Sequence, residues 1–308
     1  MLKLNLLFLL VLNMLEAEAE NKNEKKIPVG GQAVIEGVLM KGKKLWGLAV
    51  RRPNREIFTE TWENSSRTEK SPWKFPFIRG VVIMCEMMST GFKALSKSAE
   101  VALEEENEKM TFKDIFLAVV TAILAVGGLF IALPLWVSGL LGLSPLYTNI
   151  FEGLLRAVIF ISYVAIIGLW SDIKQVFRYH GAEHKTINAF ESNLEMTPEN
   201  IMKCSRIHPR CGTSFLLIAV IVSIIVFSPV KVLISGNFAA QVISRIVLIP
   251  LVIGISYEII KLASNSGTVG KCFISPFLTL QYLTTREPDI NQVEVGLVSL
   301  KTAMNGEL

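Results

Sequence analysis

Four stretches of the chain, 115–141, 150–170, 214–234 and 243–263, are almost wholly apolar. Each is close to the roughly 20 residues that a helix rising about 1.5 Å per residue needs to cross about 30 Å of hydrocarbon. Buried helices of soluble domains keep a polar stripe, and the first and third stretches have none away from their ends. The expected fold is a polytopic α-helical membrane protein with about four transmembrane helices, carrying a small cytoplasmic α/β part that contains an antiparallel β-meander. The 51% hydrophobic content over 308 residues fits that class.

Orientation follows from the lysines and arginines. The connections 142–149 and 235–242 carry no charge, whereas 171–213 holds Lys174, Arg178, Lys185, Lys203, Arg206 and Arg210. The positive-inside rule therefore places both termini and the 171–213 connection in the cytoplasm. Arg156, Lys231 and Arg245, near the opposite ends of their spans, vote against this. The net charge of +4 is explained by the topology signal and makes no case for nucleic acid as a partner. The partner it does imply is the lipid bilayer. Cys85, Cys204, Cys211 and Cys272 all fall on or near the cytoplasmic side, where thiols stay reduced, so packing or metal binding is expected rather than a disulfide framework.

The chain divides into an N-terminal segment (1–26), a meander with an amphipathic helix (27–110), a membrane domain with the polar 171–213 connection (111–264) and a cytoplasmic tail (265–308). Residues 4–15 are apolar but short for a span, and fit either an interfacial segment or a cleaved signal. Stretches 33–40, 45–51 and 56–62 are rich in Val, Ile, Trp, Phe and Thr, with Lys-Gly and Pro-Asn turn signals between them. Over 78–106, apolar residues at helical spacing (Val81, Met84, Cys85, Met88, Phe92, Leu95) predict an amphipathic helix on the membrane or on the meander. The period of 293–300 does not decide between strand and helix.

His180, His184 and His208 are the entire histidine content. With no proline between the second span and Thr197, that span is expected to run on as a helix through His180 and His184. Positions i and i+4 share a helix face, so both imidazoles address one ion. The pattern H-x-x-E-H is that of inverted zinc peptidases, in which Glu183 would be the general base. Gly181 inside the motif weakens the helix by about 1 kcal/mol relative to alanine. The string 204–212 adds a third ligand, His208 or Cys211, beside a proline and a glycine that suit a bent loop. One of them leaves a position for water, while both would close the site into a structural one. The expected cofactor is a divalent metal, zinc first.

Glu191, two turns beyond His184, and Glu258, inside the fourth span, are acids that would support the site, Glu258 through Arg178 or the metal. Glu36 and Arg79, lone charges beside glycines, read as turn residues, Glu36 with a weak claim to chemistry because it interrupts an apolar strand. There is no phosphate loop, nucleophile elbow or Rossmann fingerprint, and no internal repeat.

The strings beginning at Gly30 (Gly-Gly-Gln-Ala-Val-Ile-Glu-Gly-Val), Arg178 (Arg-Tyr-His-Gly-Ala-Glu-His-Lys), His208 (His-Pro-Arg-Cys-Gly-Thr-Ser-Phe) and Leu283 (Leu-Thr-Thr-Arg-Glu-Pro) resemble the YqhQ-like family of bacterial membrane proteins. The resemblance runs from about Gly30 to Leu300. It implies an inner-membrane location and carries over His180, Glu183, His184, His208 and Cys211 as motif-borne positions. The family is of unknown function and is described as predicted metal-dependent enzymes, on the same histidines. The functional expectation is a membrane-embedded metal-dependent hydrolase acting at the cytoplasmic surface on a lipid-linked substrate or membrane peptide. The alternative is a non-enzymatic factor for membrane assembly or insertion, in which the His/Cys cluster ties two elements together.

Overall fold

The computed structural model describes residues 29–65, 67–69, 72–102, 112–234 and 237–305, so the apolar segment 4–15 lies outside the described residues. Turn signals and β-formers near the start produce four antiparallel strands in chain order: β1 (Gly30–Val34), β2 (Gly37–Lys41), β3 (Leu45–Arg51) and β4 (Ile57–Glu63). The stretch 33–40, expected as one strand, is divided between two. Val34 pairs with Gly37, which leaves Ile35 and Glu36 as the turn, and Glu36 takes a φ of 48°. The charge that seemed to interrupt a strand therefore marks its end.

The helices are α1 (Ile78–Ala102), α2 (Phe112–Gly127), a π-helical turn (Gly128–Ala132), α3 (Leu133–Leu140), α4 (Pro145–Ile167), α5 (Ser171–Glu191), α6 (Pro198–Met202), α7 (Gly212–Leu233), α8 (Phe238–Asn265), α9 (Gly267–Leu278), α10 (Gln281–Thr284) and α11 (Ile290–Ala303). Successive strand residues point to opposite faces, and both faces of this sheet are buried. Val38 and Met40 join Tyr179, Ile187, Val295 and Leu300 in a core under α5 and α11. Leu39 joins Trp46, Leu48, Ala94 and Val101 in a core under α1. Two-sided burial is why β2 reads as an unbroken apolar run rather than an alternating one.

The undecided 293–300 stretch is helical. Asp289 Oδ1 accepts from Gln292 N at 3.0 Å and Gln292 Oε1 accepts from Asp289 N at 2.9 Å, a capping box that starts α11. Its apolar residues serve two cores, Val295 and Leu300 against the sheet and Val293 and Leu297 against Ala189 and Ile201, which blurs the period.

Among the described residues, four segments are long and apolar enough to cross a membrane: Val119–Leu140, Pro145–Ile167, Gly212–Val230 and Phe238–Ala263. They leave Ile123, Leu124, Leu154, Val158, Ile225 and Val247 exposed on their outer faces, as lipid contact requires. The second span does not continue unbroken into the polar helix. Gly168 closes α4, Trp170 is extended, and α5 starts afresh at Ser171. Glu258 on α8 is paired with neither Arg178 nor the His cluster. It accepts from Arg79 Nε at 2.7 Å and from Arg79 Nη2, which fastens α1 to the fourth span.

Candidate metal centre

His180 and His184 sit one turn apart on α5, with ring centroids 4.4 Å apart. His180 Nδ1 lies 2.8 Å from the Thr284 carbonyl oxygen and His184 Nδ1 lies 2.6 Å from that of Arg206. A carbonyl only accepts, so each Nδ1 carries a proton, and the neutral form of either ring has its lone pair on Nε2. Metal-ligating histidines are held in this way by backbone carbonyls. Burial pushes His184 below the ordinary imidazole range, which favours that neutral form.

Gly181 explains how the Thr284 carbonyl comes so close. A Cβ there would run into the Arg286 carbonyl and crowd Pro288, so a side chain would drive the 284–288 segment off α5. The glycine that weakens the motif as a helix is what lets its first histidine be oriented. The Arg206 side of the site is fastened by Lys185, whose Nζ donates to Met202 O and Cys204 O at 2.8 Å each and pairs with Glu287 at 2.6 Å.

Cys211 completes the group. Its Sγ is 3.3 Å from His180 Nε2, and one ligand atom from each of His180, His184 and Cys211 lies within 4.8 Å of the others. Tetrahedral zinc with its usual bond lengths sets such atoms about 3.4 to 3.6 Å apart, so a small contraction closes the donor set around an ion. Cys211 is the N-cap of α7, at the first turn of a span. The group therefore stands level with one end of the apolar bundle.

Glu183 is 4% exposed, with Oε2 4.0 Å from His180 Nε2. Burial raises its carboxyl above the ordinary range, against the pull of His180 and His208. It lies against β1, where a Cβ on Gly31 would come within 2.8 Å of Glu183 Oε1. This gives Gly31 its place beside the motif.

His208 stands outside the three-residue group. Its ring centroid is 5.7 Å from that of His184, and its Nε2 is 3.4 Å from Glu191 Oε2. Its backbone is clamped by Gln281, which accepts from His208 N at 2.9 Å and donates to His208 O at 2.8 Å. Glu191 also pairs with Arg210, so it braces the loop rather than facing Cys211. Burial pushes its carboxyl up, but His208 and Arg210 outweigh this and hold it below the ordinary range. Glu36 accepts from Tyr179 Oη at 3.0 Å, which joins the β1–β2 turn to α5 next to His180. Thr284, Arg206 and Gln281 were invisible as supports in the sequence because two act through backbone carbonyls and Gln281 lies 73 residues from its partner.

Residues 75–306 match the family described as "Protein of unknown function (DUF1385)". The chain is 33% identical to the uncharacterized protein YqhQ of Bacillus subtilis (strain 168), over 92% of this chain and 95% of that protein. No solved structure matches it. With the family matched over the sheet-covering helices, the spans and the His/Cys group together, the chain belongs to the YqhQ-like, DUF1385 family of membrane proteins.

Proposed function

We propose that the protein is a metal-dependent hydrolase of a cell (inner) membrane, with its site at the cytoplasmic surface and both termini on that side. The observation that carries this reading is the convergence of two carbonyl-oriented imidazoles and a thiol within 4.8 Å, beside a buried carboxylate. The donor set of two nitrogens and one sulfur suits zinc and leaves a fourth position open. The ion would supply Lewis acidity that makes water a usable nucleophile near neutral pH. His180, His184 and Cys211 would hold it. Glu183, its carboxyl raised by burial, would accept a proton from the attacking water and return it to the leaving group. Placement at the end of a span suits a lipid-linked substrate or a membrane peptide.

A second reading has its own support. The group joins α5, the 204–211 loop and, through Thr284, the segment before α11, so a bound metal could act as a staple in a non-enzymatic assembly or insertion factor. Two measurements separate the readings. Elemental analysis of the purified protein is expected to find about one equivalent of zinc or a similar ion. Glu183→Gln should then retain the metal and lose turnover of membrane-peptide and lipid-linked ester libraries. No metal above background after attempted reconstitution overturns both metal readings, and metal with no turnover by wild type leaves the staple.

A further inference from the structure

A second polar cluster lies inside the bundle, from about two turns within α4 and α8 to the middle of α4 and α7. Across 116–167 and 212–257 the sequence has a single acid, Glu152, against Arg156, Lys231 and Arg245. Glu152 and Arg245 each follow the first residue of their helix, Pro145 or Phe238, by seven positions, which is about 10 Å at a rise of about 1.5 Å per residue. Arg245 is 1% exposed and Glu152 2%. Arg245 Nη2 donates to Glu152 Oε2 at 3.1 Å and Arg156 Nη2 to Glu152 Oε1 at 2.8 Å, so one carboxylate faces two guanidiniums.

The other partners of the two arginines are neutral. Arg156 donates to Phe130 O at 2.9 Å, a carbonyl for which Pro134, one turn on, has no N–H. It also donates to Ser223 Oγ at 2.9 Å, and Arg245 to Ser244 Oγ at 3.2 Å. The Phe227 ring lies 5.6 Å from one guanidinium and 5.2 Å from the other. A guanidinium has five N–H donors, and each arginine bonds through its three nitrogens, which leaves N–H hydrogens unspent on both among the described residues. Asn149 sits one turn before Glu152 on the same face of α4, also 2% exposed, and neither its Oδ1 nor its Nδ2 has a partner among the described residues.

Buried charge in excess of its counter-charge is costly inside a membrane and marks a site by default. The excess is positive, its unspent groups apart from Asn149 Oδ1 are donors, and it lies where the positive-inside rule disfavours arginine. We propose that this cluster binds an anion of the phosphate class against Arg245, Arg156 and Asn149 Nδ2, guanidiniums being well shaped for phosphate oxygens. The anion is either free phosphate or the phosphate ester of a lipid headgroup. The proposal is independent of the metal reading, since the two clusters share no residue and Cys211 caps the start of α7 whereas Ser223 lies at its middle.

The test is the melting temperature of the full-length protein. In detergent it is measured in sodium phosphate against sodium chloride of equal ionic strength, and in nanodiscs in phosphatidylglycerol against phosphatidylcholine. A rise with inorganic phosphate supports a solvent-borne anion, and a rise with phosphatidylglycerol alone supports a lipid headgroup. Asn149→Leu keeps every ion pair and should raise the half-saturating concentration about ten-fold, the effect of one lost hydrogen bond to a charged group. Glu152→Gln increases the positive excess and should enlarge the rise, whereas a purely structural ion pair predicts only a lower melting temperature in every buffer. No rise in either format, or a rise that both variants leave unchanged, overturns the proposal.

Discussion

Two buried polar clusters of opposite character lie in the helical part of the molecule, one at the start of α7 and one inside the bundle. In the first, imidazole and thiol lone pairs converge beside a carboxylate, and backbone carbonyls from Thr284 and Arg206 set their direction. In the second, guanidinium donors outnumber the single carboxylate they share, and neighbouring helices hold them directly. The first arrangement presents lone pairs and the second presents N–H donors. The first also depends on chain segments that pack from outside the bundle, while the second is internal to it.

That contrast is broken or sharpened by substitution, taken from the largest expected effect down. Replacing both His180 and His184 by alanine should take bound metal from about one equivalent to background in elemental analysis, whereas Arg245→Leu should leave the metal content untouched. If Arg245→Leu also empties the site, the two clusters are not separate. Its own effect is expected in unfolding, since removing one partner of a buried pair costs about 3–5 kcal/mol, and denaturant unfolding in detergent reads it.

Gly181→Ala is expected to cost about 1–3 kcal/mol as an overpacked contact and to weaken metal retention, because the 284–288 segment carrying the Thr284 carbonyl must move. Unchanged retention would mean that the carbonyl does not orient His180.

The smallest effect is in pH. Glu191 is held below the ordinary carboxylate range in the folded protein. Its contribution is therefore present above the unfolded value and lost as pH falls through the folded one. Below about pH 4.5 wild type should lose no more than about 1 kcal/mol of stability beyond Glu191→Gln, the bound for a partly solvated group, read as a steeper fall in melting temperature. Parallel curves would remove Glu191 as a brace of the His208 loop.

What could be read from the sequence divides along the same line. The spans were legible because length and apolarity are local properties, and the His180–His184 pair because a helix repeats locally. The choice between His208 and Cys211 beside that pair was not, since it depends on how Gln281, 73 residues away, clamps the loop. The partner of Glu258 was missed for the same reason, with 179 residues separating it from Arg79. Glu152 passed unremarked inside an apolar run, although a lone carboxylate there was itself the signal. The turn at Glu36 was hidden because burial on both faces of the sheet removes the alternation that separates strand from turn.

The sheet also imposes an order on the making of the protein. Ser299 of α11 bonds the Gly47 carbonyl across 252 residues of chain. At translation rates of about 5–20 residues per second, roughly 12–50 s pass between synthesis of the strands and synthesis of their cover. For that interval one apolar face of a finished sheet waits at the ribosome while the spans are inserted. A nascent chain arrested before Ile290 should therefore be the form that recruits chaperones and is cut by proteases, and release of the last helix should end both.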